Sequence, residues 1–212
     1  MGTTERRERE KQRRRDDILS TARTVFFDKG FRDTTIDDIA RAAELSRGTI
    51  YLYFESKEEI YATVLEEGLD ILYRLITEAY RPEDDPLTNL LAGHDAFMRF
   101  HDEHKHHYNV LMLDKMQIED VLPAVLKDRI SARLIQMAGW IAKILQEGVD
   151  RDFFRPMLVE EVAFLQMGMI MGFAQMQDKC FSAGLLGDAR HRRETMHNLI
   201  AMGVMTRRKP GA

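Results

Sequence analysis

The chain has 212 residues, 44% of them apolar and 31% charged, with a formal net charge of −4. That length allows one large domain or two small ones with real cores, and the apolar share excludes a disordered chain. A single cysteine, Cys180, excludes an internal disulfide and points to a reducing cytoplasm, and the opening MGTTERREREKQRRR lacks the apolar core of a secretion signal.

The longest nearly uncharged run, Val162 to Met176, is interrupted by Gln166 and Gln175 and falls short of the roughly 18 residues of a membrane span, so a soluble protein is expected. Charge is unevenly placed. Residues 1–57 carry 13 Lys/Arg against 11 Asp/Glu, and residues 58–212 carry 18 against 24. Within the first 15 residues the balance is 7 to 3, which makes residues 1–14 a basic arm able to reach a polyanion. With Glu and Arg interleaved, the same run also reads as a solvated helical extension.

Apolar residues recur with a 3.6-residue period along nearly the whole chain and no stretch reads as a strand, so the expected fold class is all-α. Ile18, Leu19, Ala22, Val25 and Phe26 share one helical face, and Gly30 follows as a stop. A second, short helix opens at Thr34 or Thr35, either of which can cap it with an Asp three residues on, and it carries Ile36, Ile39, Ala40 and Ala43 on one face. After a tight Glu44-Leu45 corner, Ser46 caps a third helix, with Leu45 and Ile50 placed to staple it. Phe54 and Glu55 end that helix, and Ser56-Lys57-Glu58-Glu59 is a capping box that opens a fourth, running to about Tyr80 with Ile60, Val64, Leu69, Leu72 and Ile76 inward. Arg81 to Pro86 is the clearest break, and the domain division is expected there. Helical segments follow at about 87–106, 107–118, 123–149, 157–183 and 188–207.

Two short helices joined by a tight corner are a helix-turn-helix, whose second helix enters the major groove of DNA. At 100° per residue, Ile50 and Phe54 face the first two helices, while Gly48 and Leu52 point the opposite way and Arg47, Thr49, Tyr51 and Tyr53 flank them. These residue types suit a groove. Arg47 can pair with a guanine edge or a phosphate, Thr49 offers a hydroxyl or a methyl, Gly48 lets the backbone approach closely, and Leu52 can pack on a thymine methyl. Tyr51 and Tyr53 present hydroxyls at phosphate reach. Lys57 lies in the first turn of the fourth helix, where free amides and the dipole favour a phosphate.

Phe26, Gly30 and Phe31, followed by TTIDDIARAAELSRGTIYLYFESKEEI from Thr34, resemble the N-terminal domain of the TetR (tetracycline repressor) family, over roughly residues 15–62. The resemblance implies an all-helical homodimer that binds a palindromic operator and usually represses, with an effector-binding and dimerisation domain behind it. The chain then divides into a basic arm (1–14), a DNA-binding domain (15–62), a connecting part of the fourth helix (63–81) and an effector-binding and dimerisation domain (82–212). By position, Thr35 and Lys57 resemble phosphate contacts, Arg47, Gly48, Thr49 and Tyr51 groove residues, and Tyr53 a contact to the DNA backbone. The corner position often filled by glycine is Glu44, where left-handed geometry would cost roughly 1–2 kcal/mol.

Val162 to Met176 is apolar on nearly all sides and needs cover from its own core and from a partner; with Met196, Leu199, Ile200, Gly203 and Val204 of the last helix it would build a four-helix dimer interface. Phe97, Phe100, Met112, Met116, Met137, Trp140 and Phe164 are candidates to line a pocket for a largely apolar small-molecule effector. In HDEHKHH, His101 and His104 have the spacing of metal ligands or of histidines ending a helix. Glu103/His106 and Glu194/His197 repeat the Glu-x-x-His spacing of di-iron helical bundles, which leaves a carboxylate-bridged di-metal oxidase as the alternative function. No Ser-His-Asp grouping, phosphate-cradling glycine loop or CxxC can be made out, so no catalytic residue, cofactor or resident metal is assigned.

Overall fold

Helix ends in this chain are set by local caps and by distant side chains together. A computed structural model describes residues 3–113, 122–177 and 188–205. Its elements are α1 (Thr3–Asp33), α2 (Ile36–Ala42), α3 (Arg47–Tyr51), α4 (Lys57–Ala79), α5 (Pro86–Glu103), α6 (Lys105–Leu113), α7 (Ala124–Asp150), α8 (Val159–Gln177) and α9 (Ala189–Val204). Among the described residues the only departure from helices and turns is an isolated antiparallel bridge between Phe154 and Met205. No helix there is long and apolar enough to cross a membrane.

The helices gather into two compact units. The first comprises residues 1–70 and 104–133, the second residues 71–103 and 134–212. The break at Arg81 to Pro86 therefore lies inside the second unit instead of between domains. It is an ordered turn: Asn89 accepts from the Arg81 amide at 2.8 Å and donates to the Arg81 carbonyl at 2.7 Å. Asp85 then caps α5 by accepting from the Leu87 and Thr88 amides at 2.9 and 3.0 Å. Proline and charge had marked where a helix stops, which is a different property from where packing changes.

In the first unit, α1 begins at Thr3, so the basic arm is helical, and residues 4–14 are solvent-exposed. Gly30 breaks α1 as expected, with φ 76° and ψ 167°, a conformation that a side chain would strain, and a last turn follows to Asp33. Phe26, Phe31 and Tyr61 pack ring against ring, at centroid distances of 4.9 Å between Phe26 and Tyr61 and 4.7 Å between Phe31 and Tyr61. The Tyr61 hydroxyl donates to the Val110 carbonyl at 3.1 Å, so the helix after the second-unit insertion returns to this core.

Thr35, the cap of α2, forms the full reciprocal box with Asp38. Lys29 and Thr35 hold the Asp38 carboxyl well below the usual carboxylate range. The other end of α2 closes as a Schellman motif: Glu44 N–H donates to Arg41 O at 3.2 Å and Leu45 N–H to Ala40 O at 2.8 Å, with Glu44 at φ 55°. That is the left-handed geometry anticipated for this corner. Glu44→Gly removes the strain and loses part of the gain to a freer unfolded chain, so a rise in stability of about 0.5–1 kcal/mol is expected in a urea titration. A variant less stable than the parent would show that Glu44 makes contacts worth more than its strain.

In the second unit, α8 and α9 turn one face each inward. Val159, Ala163, Gln166, Ile170 and Ala174 are buried on α8, and Met196, Ile200 and Val204 on α9. The run expected to be apolar on all sides thus has one inner face and one open one. The α7 to α8 turn is pinned by Phe154, whose ring lies where a side chain on Gly148 would be: an added Cβ would sit 2.0 Å from it.

Candidate nucleic-acid interface

The third helix is shorter than its sequence suggested. It ends at Tyr51, with Leu52 as a right-handed cap, and Leu52-Tyr53 form a turn that delivers Phe54 to the core. Ile50 and Phe54 are buried at 0% and 2% exposure, as the rotation required, whereas Leu52 is 77% exposed. A leucine left that open on a five-residue helix points to a partner surface.

Around it the polar groups are arranged in advance. Ser46 accepts from the Thr49 amide at 3.0 Å, and the two hydroxyls pair at 2.8 Å. Arg47 is exposed, yet its guanidinium is oriented: it donates to the Tyr51 hydroxyl at 3.3 Å, lies 5.6 Å from the Tyr51 ring centroid and 3.6 Å from the Asp37 carboxylate on α2. Asp37 is a residue the sequence reading passed over. The acidic first turn of α2 was visible, but only the fold brings it to α3. Gly48 is exposed, and a Cβ placed there would meet nothing nearer than Ser46 Oγ at 3.7 Å, so nothing in the subunit demands glycine. Tyr51 is 45% exposed and Tyr53 half-buried.

Lys57 departs from expectation. Its ammonium donates to the Phe31 and Thr34 carbonyls, both at 2.8 Å, and lies 4.2 Å from the Phe31 ring centroid. The end of α1 leaves carbonyls without helical partners, and Lys57 supplies them, tying α4 to α1. Nor are the α4 amides all open to an anion: Ser56 Oγ accepts from Glu59 N–H at 3.1 Å. The Glu59 carboxylate reaches the Glu55 amide at 2.6 Å, one residue before the Ser56 amide the capping box called for.

The sequence pattern of the family described as "Bacterial regulatory proteins, tetR family" matches residues 18–64. The transcriptional repressor KstR2 of Mycolicibacterium smegmatis is 32% identical over 155 residues, covering 71% of this chain and 72% of that protein. The chain belongs to the TetR family.

Solved TetR-family structures share its fold. A bacterial regulatory protein of the family from Rhodococcus RHA1 superposes with a TM-score of 0.77 at 21% identity, covering 91% of this chain and 97% of that one. AibR, solved with isovaleryl coenzyme A and operator DNA, gives 0.70 at 17% identity, covering 91% and 98%. As a TetR-family member the protein is a DNA-binding transcriptional regulator, and the family is not one of enzymes.

The di-metal alternative loses its ligands to other partners. His197 Nε2 is 2.9 Å from Asp95, and Glu194 accepts from Arg190 at 2.9 Å. Among the described residues no group of three or more His, Cys, Asp or Glu is placed to hold a metal ion. His101 and His104 do not share a helix, because α5 ends at Glu103, and His101 is buried with Nδ1 at 2.7 Å from Asp102.

The aromatic and methionine residues proposed as pocket lining divide differently. Phe97, Phe100 and Met137 are buried in the core, and Trp140 stacks at 5.9 Å from Tyr80 above Gly93. Met112 is half-buried, Phe164 is 73% exposed on the outer face of α8, and Met116 lies outside the described residues. Large apolar side chains fill a core before they line a void.

Proposed function

We propose that the protein is a cytoplasmic repressor: a homodimer that reads a palindromic operator with one α3 helix per half-site and leaves it when a small-molecule effector binds. The observation that carries this reading is the open, pre-oriented surface from Ser46 to Leu52, with Arg47 held between Asp37 and Tyr51 and Leu52 left in solvent. Arg47, Gly48, Thr49 and Leu52 would face base edges. Ser46 and Thr35 hold the helix starts, and Thr35, Tyr51 and Tyr53 border the phosphates. Lys57 supports the surface from behind by fixing α4 on α1.

Two recognition helices read half-sites about 34–36 Å apart only if the dimer holds that separation. The outer faces of α8 and α9 suit that task, with Phe164, Leu165, Leu199 and Met202 each more than half exposed. An effector that changes the tilt of α4 would spoil the spacing, and a coupling of about 1–3 kcal/mol shifts operator affinity by 5- to 150-fold.

The test is binding to the DNA upstream of the protein's own gene at low and moderate salt. A palindrome should be preferred over random duplex, with affinity falling as salt rises. Arg47→Ala should lower that preference by about 1–3 kcal/mol at the base pairs it reads. Equal affinity for upstream and random DNA would sink the reading.

A further inference from the structure

The second unit contains a groove that DNA recognition leaves unused. Its volume is about 410 Å³, and it lies between α5, α8 and α9. That is within the ~300–1,000 Å³ range of small-molecule sites. One wall is apolar, built from Met98, Ile170, Phe173 and Met196, while Arg99, Arg192 and Arg193 also border the groove.

The two carboxylates that line it are already engaged. Asp95 holds Arg193 in an ion pair and His197 at 2.9 Å, and Asp102 is 2.7 Å from His101 Nδ1. Arg192 donates to the neutral Gln177 side chain at 3.2 Å, and Arg99 faces Glu103 at 3.6 Å in an exposed pair of little strength. The lining is therefore cationic on balance.

His94, 6% exposed, also lines the groove. Its Nδ1 lies 2.7 Å from the Leu90 carbonyl, which accepts only, so Nδ1 carries the proton and Nε2 is an acceptor. Burial lowers the His94 pKa and keeps the ring neutral. One turn before Ile170 on the same inner face of α8, Gln166 is 6% exposed and its Oε1 has no hydrogen-bond partner. A buried acceptor without a donor costs about 1–3 kcal/mol, which a ligand N–H or O–H would relieve.

We propose that this groove is the effector site and that the effector is an amphipathic organic anion: an acyl chain lying on Met98, Ile170, Phe173 and Met196, with its anionic head on Arg99 and Arg192. The inference rests on the ligand-responsive reading above and adds to it the site and the charge of the ligand. Free carboxylates and acyl thioesters of coenzyme A share this chemistry, and the experiment separates them.

The full chain is melted with decanoate, decanoyl coenzyme A, decanol and free coenzyme A. One of the acyl anions should raise the melting temperature with concentration, beyond decanol and beyond coenzyme A alone. The effective anion identifies the source. Combined Arg99→Gln and Arg192→Gln should weaken its binding about tenfold or more, the loss of a charge-assisted hydrogen bond, and Phe173→Ala should weaken it about tenfold through lost apolar contact. Stabilisation by decanol equal to that by both anions overturns the charge assignment. An anion that binds parent and variants alike overturns the site, and no stabilisation by either anion overturns both. Melting needs no DNA, so a failure to bind operator would count against the repressor reading alone.

Discussion

Phe164→Glu combined with Met202→Glu converts the protein to a monomer and lowers operator affinity by about 10²- to 10⁴-fold, the avidity lost when two half-site contacts cease to be linked. The two side chains are 73% and 79% exposed, on α8 and α9, so charging them leaves the subunit core intact. Around them the surface is apolar and low. Leu165 and Leu199 are 67% and 55% exposed, and a Cβ added at Gly168, Gly172 or Gly203 would meet nothing within 4 Å. Such a surface buries well against a copy of itself, and carboxylates placed there would have to be desolvated unpaired. Sedimentation should report a monomer with unchanged helical content. A double variant that remains dimeric at micromolar concentration would place the interface elsewhere.

Much of the DNA-binding surface was legible because its determinants are local. A cap, a staple and a left-handed corner each need residues within four positions of one another, and Thr35, Ser46 and Glu44 took the roles their neighbours set for them. Periodicity also found the inward faces of α4, α8 and α9. What it could not report is which helix a face packs against. Tyr61 and Val110 meet across 49 positions, and α6 therefore rejoins the first unit although α5 belongs to the second. Lys57 was misassigned for the same reason: a lysine in the first turn of a helix suits a phosphate equally well, and the carbonyls it binds come from 26 and 23 positions upstream. The effector groove was missed because Asp95 is joined to Arg193 and His197 from 98 and 102 positions away, while the search for a pocket had followed aromatic residues into the core.

Gly48→Ala separates recognition from folding more sharply than any charge change. Within the subunit the new methyl would sit 3.7 Å from Ser46 Oγ, an ordinary contact, and the backbone there is helical. Alanine in a helix is favoured over glycine by about 0.5–1 kcal/mol, so the variant should be as stable as the parent or slightly more so. On DNA the sign reverses. If Gly48 is where the α3 backbone comes closest to the base edges, a methyl holds the whole helix away and loosens the contacts of Arg47 and Thr49 on either side. Loss of a specific base contact is worth about 1–3 kcal/mol, or roughly 5- to 150-fold in operator affinity, with non-specific affinity changed much less. A melting curve and a pair of titrations, against operator and against random duplex, decide the matter. Unchanged operator binding would mean that α3 lies shallower in the groove than its open glycine implies, and reading would then fall to the longer side chains of Arg47 and Tyr51.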